Sequence, residues 1–203
     1  MNVVDSLFSS NSVIFNAEYA KGYQVPIYLD IRKALSYPKE RQVIITRMEE
    51  LLDRHFPNCQ MIAGTCTAGI PFAAMLAHNT GLPMCYVRSA KKNKGLGKQV
   101  EGDIFRRGIN TVIIEDVVAH ANSILSVRDG LINEDASIMG AISIFSFNMK
   151  KASEVLNDAQ VKHITLSTFE EIIDAALQRK IISEKQVSSL YEYRDYTPAY
   201  AWD

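Results

Sequence analysis

Apolar residues recur along this chain at two different periods, and the alternation between them lays out a fold. Over residues 38–56, Ile44, Met48, Leu51, Leu52 and Phe56 fall at helical spacing with charges between them, and Pro57-Asn58 stops the helix. Met61-Ile62-Ala63-Gly64 is short and apolar, which predicts a buried strand. Gly69-Ile70-Pro71 then opens an Ala-rich helix to His78 with proline near its first turn, Gly81-Leu82-Pro83 turns the chain, and residues 84–87 form the next strand. Further on, the pattern predicts a strand over 111–115, a helix through Leu125, Leu131 and Ile132, and a strand over 138–145. Thr168 with Glu171, and Ser183 with Gln186, have the spacing of capping boxes before two C-terminal helices. At the other end, residues 7–15 read as a helical lead-in and residues 26–30 as extended. Helices alternating with short apolar strands predict the α/β class, a central mostly parallel sheet flanked by helices on both faces.

Composition narrows the function. A chain of 203 residues, 47% apolar and 22% charged, suits a single globular domain over 1–203. Its core is expected over 38–164, with 1–37 and 165–203 as additions. A net charge of −1 exerts no general pull on nucleic acid or anionic membranes, so neither is expected as a partner. Cys59, Cys66 and Cys85 form no CxxC pair, and such sparse cysteine suggests a reducing cytoplasm. The four histidines are scattered and make no zinc signature. Residues 1–12 lack the basic head and apolar block of a signal peptide, and no apolar stretch is long enough to cross a bilayer.

Three elements carry candidate chemistry. Residues 111–123, TVIIEDVVAHANS, take an apolar run into two adjacent carboxylates, Glu115 and Asp116, then a polar turn and a helix start. Paired acids at the carboxyl end of a buried strand can hold ribose hydroxyls or a metal ion, and the turn with the helix N-terminus can hold a phosphate. Both acids could instead cap the helix, but two acids ending a buried strand are costly unless they bind something. Between the strands at 84–87 and 111–115 lies a basic, glycine-hinged connection. From Arg88 to Lys98 it holds five positive charges (Arg88, Lys91, Lys92, Lys94, Lys98) and no negative ones. Composition alone fits a solvated loop as well as one that covers an anionic ligand. Strand order tips the balance, because the loop and the acid pair follow successive strand ends and so share one sheet edge. The third element, AGTCTAGIP at 63–71, places small residues between a strand and a helix start. It fits either a tight packing turn or a close backbone approach to an anion.

In this order the three elements resemble the type I phosphoribosyltransferases, specifically the orotate phosphoribosyltransferase branch, and the likeness covers most of the chain. GYQVPIYLDIRKALSYPKER (22–41) is similar to the family's small N-terminal hood, with Pro26, Ile27, Tyr28, Asp30, Arg32, Ser36, Tyr37 and Pro38 in the expected places. AGTCTAGIP resembles its pyrophosphate-side loop, PMCYVRSAKKNKGLGKQVEG (83–102) its mobile catalytic loop, and IIEDVV (113–118) the core of its phosphoribosyl pyrophosphate motif. IISEKQ (181–186) and the terminal tryptophan follow the pattern too. The resemblance implies the type I fold and Mg²⁺-assisted transfer of ribose 5-phosphate from phosphoribosyl pyrophosphate to orotate. It also implies a cytoplasmic homodimer whose basic loop reaches the partner's site. By the same likeness Lys92 and Asp116 are the catalytic candidates. Arg88, Lys92 and Lys94 would bind pyrophosphate, Glu115 and Asp116 the ribose hydroxyls, and Ala119, His120, Ala121, Asn122 and Ser123 the 5′-phosphate. Thr65, Cys66, Thr67 and Ala68 would line the pyrophosphate side and Tyr28 with Ala119 the base, no side chain binding the metal directly.

The chain departs from the family at its substrate contacts. Ala119-His120-Ala121-Asn122-Ser123 stands where relatives carry Thr-x-Gly-Gly-Ser, so a hydroxyl and two glycines are replaced. Each loss is expected to cost on the order of 1–3 kcal/mol. Lys94 stands in a usual histidine position, Leu96 in a polar one, and Lys21 and Val25 replace hood serines. Two further readings therefore stand beside the transferase: a paralogue impaired in catalysis that binds a nucleotide or phosphosugar as a regulator, and a transferase for another base.

Overall fold

Residues 1–19, 23–88 and 99–196 are described by the computed structural model of this chain. β3 (Met61–Thr65), β4 (Met84–Val87), β5 (Val100–Glu101), β6 (Asn110–Val118), β7 (Ser137–Ser146) and β8 (His163–Thr165) form one sheet in the order β5-β4-β3-β6-β7-β8. Every neighbouring pair is parallel except β4 with β5. From β3 the chain steps one way to β4 through α3 (Gly69–Thr80). From β6 to β7 and on to β8 it steps the other way, through α4 (Asn122–Asn133) and α5 (Lys150–Asp158). Parallel crossovers keep one hand, so opposite steps put α3 on one face and α4 with α5 on the other. With both faces covered, the strand interiors are continuously apolar: Ile62, Val112, Ile113, Ile114, Ile142 and Phe145 are fully buried. The reversal beside β3 leaves a crevice at the carboxyl edge of β3, β4 and β6, where such sheets bind ligands.

α2 (Pro38–His55) follows the predicted bounds, with proline in its first turn and Ile44, Met48 and Leu52 buried. The N-terminal expectation needs correction. α1 (Val3–Ser9) ends earlier than the helix read over 7–15, and Val13, Ile14 and Phe15 belong to β1 (Val13–Tyr19). Asn2 and Asp5 cap α1 reciprocally, the Ser10 hydroxyl donates back to the Ser6 carbonyl at 2.8 Å, and Asn11 turns the chain with φ +54°. β1 then pairs antiparallel with β2 (Tyr23–Leu29), from Val13 opposite Leu29 to Tyr19 opposite Tyr23. The ladder comes from a partner strand, which a local period does not register. A short 3₁₀ segment, Ile31–Ser36, leads from β2 into α2.

At the C-terminal end Thr168 and Glu171 form the predicted capping box on α6 (Phe169–Gln178). Ser183 before α7 (Glu184–Tyr196) does otherwise: its N–H and hydroxyl both donate to the Gln186 side chain, at 3.0 and 2.9 Å. Arg194 packs over the rings of Phe169 and Tyr191 and pairs with Glu170 and Asp195, while α7 touches β2. The terminal tryptophan of the family pattern lies outside the described residues.

On β8, His163 Nε2 lies 2.9 Å from the Ser143 hydroxyl, which itself donates to Thr165 Oγ1 at 2.9 Å. Ser143 therefore accepts from the imidazole N–H. Burial lowers the His163 pKa to about 4, so the ring is neutral in the fold at neutral pH. Between the unfolded value and about 4 the unfolded chain binds the extra proton, so stability rises with pH across that window and falls on acidification. The full effect, below pH 4, is about 3 kcal/mol. Urea unfolding of His163→Asn should show a shallower acid slope than wild type, and an identical slope would contradict the assignment.

Candidate active site at the sheet edge

The acid pair sits deeper in its strand than the sequence suggested. β6 runs on to Val118, with Val117 opposite Phe145 and Val118 opposite Ser146, because the ten residues of β7 continue the ladder past the acids. Successive side chains on a strand point to opposite faces. Glu115 is accordingly the deeper of the two, 5% exposed, its carboxyl accepting from Thr65 Oγ1 at 2.6 Å, whereas Asp116 is half-buried; both still reach the cavity. Removal from water, and then the charge of Asp116, push the Glu115 pKa well above the ordinary carboxylate range. The Glu115 carboxyl also accepts the Asp116 backbone N–H at 3.1 Å. One acid is thus held toward its neutral form in the ligand-free fold while its neighbour faces solvent.

The turn that follows is tight. Ala121 takes φ +64°, ψ 11° and caps α4 without a side-chain hydrogen bond; Asn122 already belongs to the helix. One of the two expected glycine positions thus adopts the left-handed conformation, and an alanine fills it. The first intrahelical N–H is that of Leu125, bonded to the Ala121 carbonyl at 3.1 Å; those of 122–124 bond to no carbonyl among the described residues and can meet a ligand. Ala121→Gly should stabilise the ligand-free protein by about 1 kcal/mol, since an L-residue in this region carries a penalty of that order. The urea midpoint measures it; a lowered midpoint would reject the strain.

These groups open onto a cavity of about 260 Å³. Its floor is Glu115, Asp116 and the 119–123 turn, with Ala68 at one side. The hood lies over it with Val25, Ile27, Tyr28, Leu29 and Arg32, and Val117, Val118, Ile124, Phe147 and Tyr193 complete the lining. The structure therefore brings Tyr28, Ala68, Glu115, Asp116, Ala119, His120, Ala121, Asn122 and Ser123 together as predicted neighbours. Thr65 stands behind the floor and orients Glu115. Cys66 is half-buried, its thiol pushed up chiefly by burial, and Thr67 is exposed beyond a cis Cys66–Thr67 peptide. Neither lines the cavity.

The base of the basic loop is a short antiparallel stem, not a structureless connection. Val87 pairs with Val100, the Arg88 N–H donates to the Gln99 carbonyl at 3.0 Å, and the Gln99 side chain donates back to the Arg88 carbonyl at 2.8 Å. The stem rises from the same carboxyl edge as the acids, as strand order required. Arg88 donates through Nε to Glu101 at 2.9 Å and does not line the cavity. Lys91, Lys92, Lys94 and Lys98 lie outside the described residues. Arg32, Phe147 and Tyr193 are cavity residues that sequence reasoning did not single out as site residues. Arg32 stood in a quoted motif, but its placement depends on the hood folding over the sheet edge, and that of Tyr193 on the docking of α7.

The family model for the phosphoribosyl transferase domain matches residues 36–180, which contain the whole sheet, the acid pair and the turn. The chain belongs to this phosphoribosyltransferase family. It is 37% identical over 184 residues to the orotate phosphoribosyltransferase of Bacillus anthracis, covering 91% of this chain and 87% of that one. Among solved structures it superposes on the orotate phosphoribosyltransferase of Aeropyrum pernix with TM-score 0.72 at 23% identity, over 89% of this chain and 99% of that one. Leishmania donovani UMP synthase gives TM-score 0.77 at 20% identity; the match covers 95% of this chain but spans 41% of that longer protein. The type I fold is thereby established, as the resemblance implied. The matched segment also divides this phosphoribosyltransferase's cavity: floor and turn lie inside it, the hood residues 25–32 and Tyr193 outside. Among the described residues no helix is long and apolar enough to cross a membrane.

Proposed function

We propose that this phosphoribosyltransferase transfers ribose 5-phosphate from phosphoribosyl pyrophosphate to N1 of orotate, giving orotidine 5′-monophosphate and pyrophosphate in pyrimidine nucleotide synthesis. The observation that carries the reading is the cavity floor: an acid pair beside an uncapped helix N-terminus at the switch point of the sheet, in a chain whose relatives carry that name. Asp116 and Glu115 bind the ribose hydroxyls, and the N–H groups of 122–124 bind the 5′-phosphate. As cation accumulates on the ribose ring and negative charge on the departing pyrophosphate, the protein's work is to position both partners and to neutralise the leaving group. The hood excludes water from the cavity. Glu115 and Asp116 bring hard carboxylate oxygens to the cavity and would suit a Mg²⁺ ion bound nearby, which would supply charge neutralisation for the leaving group.

Lys92 and Arg88 serve the pyrophosphate, Lys92 in the neighbouring subunit of a two-fold homodimer. A reducing cytoplasmic setting agrees with the free thiols of Cys59, Cys66 and Cys85. Lys92→Ala should lower kcat at least about 100-fold with the unfolding midpoint unchanged, the loss expected for one transition-state charge contact. An unchanged rate would reject the loop's role.

Ala121 in a left-handed conformation favours a second reading, a protein of this fold that binds a nucleotide or phosphosugar without turnover. Incubation with orotate, phosphoribosyl pyrophosphate and Mg²⁺, followed by loss of orotate absorbance, separates the two. Turnover supports the transferase; no turnover, with no calorimetric binding of phosphoribosyl pyrophosphate, rejects it.

A further inference from the structure

We propose that Arg32 is the anchor for the acceptor's carboxylate and thereby sets the preference for orotate over a pyrimidine lacking that group; this rests on the transferase reading above. The cavity's two halves differ in origin. The floor lies within the segment matched to the family as a whole, and so serves what the family has in common, the phosphoribosyl donor. The roof, from the hood and α7, lies outside that segment and is left to meet the acceptor.

Charge then identifies the residue. An orotate ring brings a carboxylate into a cavity already carrying Glu115 and Asp116, and it needs a cation there. Among the described lysines and arginines, Arg32 is the one that lines this cavity. Its guanidinium is held in a fixed plane: Nε donates to Asp30 at 2.6 Å and one Nη to the Tyr28 hydroxyl at 3.2 Å. The other Nη donates to no described residue, which leaves the outer edge of the fork for a planar carboxylate. Asp30 and Tyr28 are positioning residues for Arg32, and Tyr193 brings an aromatic ring to the same roof.

The test uses two nucleotides that differ by that carboxylate alone, orotidine 5′-monophosphate and UMP, titrated calorimetrically into the full chain. Wild type should bind the orotidine nucleotide at least about tenfold more tightly, the span of one charge-assisted contact. Arg32→Gln should lose that tenfold while holding UMP within about threefold, and Arg32→Lys should keep part of the preference as a point charge without the fork. The Arg32 side chain is 56% exposed, so neither variant threatens the fold. A preference that survives in Arg32→Gln, an equal loss of UMP, or a wild type that binds both alike or neither overturns the proposal. Failure of the transferase reading shows separately, as absent orotate turnover with this preference intact.

Discussion

Glu115→Gln is expected to act in two opposite directions, cutting kcat/KM about 10- to 100-fold while raising the thermal midpoint of the ligand-free protein. The loss is that of the charge-assisted contact proposed between Glu115 and the ribose hydroxyls, about 1.5–3 kcal/mol. The gain follows from linkage. Burial and the neighbouring Asp116 raise the folded-state pKa of Glu115 above its unfolded value. Between those two values the folded state binds the extra proton, so this group's contribution is present at low pH and is lost as pH rises through the window. Glutamine fills nearly the same volume and cannot ionise, so the stabilisation should be about 1 kcal/mol at neutral pH. That corresponds to about 3 °C for a chain of this size. It should shrink toward pH 4. Scanning calorimetry from pH 4 to 8 with parallel initial rates measures both arms, and a variant less stable at pH 7.5 would remove the strained-acid account. Asp116→Asn, on the cavity side, should lose activity to a similar degree.

Gly69→Ala should be among the most damaging small substitutions in the chain. A Cβ there would stand 2.3 Å from Thr65 Oγ1 and 2.4 Å from the Ile114 carbonyl oxygen. One obstacle is backbone in the central strand and the other a β-branched side chain buried beside it, so neither swings aside. Overpacking of this kind costs about 3 kcal/mol, or roughly 6–12 °C. The insertion also pushes at the hydroxyl that holds Glu115, so kcat/KM should fall by more than the unfolding equilibrium explains. Gly81→Ala is the informative contrast. It has φ +69° but nothing within 4 Å of its Cβ, so it should lose about 1 kcal/mol and leave activity alone. Equal stability in the two variants would show that the helix start at Gly69 can retreat from β3.

Much of the sheet was legible because its strands are buried on both faces and its helices carry their own start signals. Ile113-Ile114, Pro38, Pro71 and the Thr168–Glu171 pair each state a local preference that tertiary structure then confirms. The shared edge of loop and acids was also readable, since it follows from strand order alone. What escaped depends on contacts between distant segments. Val13, Ile14 and Phe15 look like the end of a helix until β2 pairs with them. Val117 and Val118 look like a lead-in to the turn until β7 extends beside them. The substitution of glycines in the turn was visible, but not that Ala121 alone would take the left-handed conformation while Asn122 entered the helix. Arg32 shows the same limit within the site. Its neighbours Asp30 and Tyr28 are close in sequence, yet the floor of the cavity it faces is built from Glu115, Asp116 and the 119–123 turn, far along the chain.

On the proposed function, the acid pair and the uncapped turn form a working phosphoribosyl site. Calorimetric titration of phosphoribosyl pyrophosphate with Mg²⁺ into wild type and into the Glu115→Gln, Asp116→Asn double variant tests it most directly. Wild type should show one site per chain, and the double variant an affinity at least about 100-fold weaker, from two lost charge-assisted contacts. Equal affinities, or no binding to wild type, would contradict it.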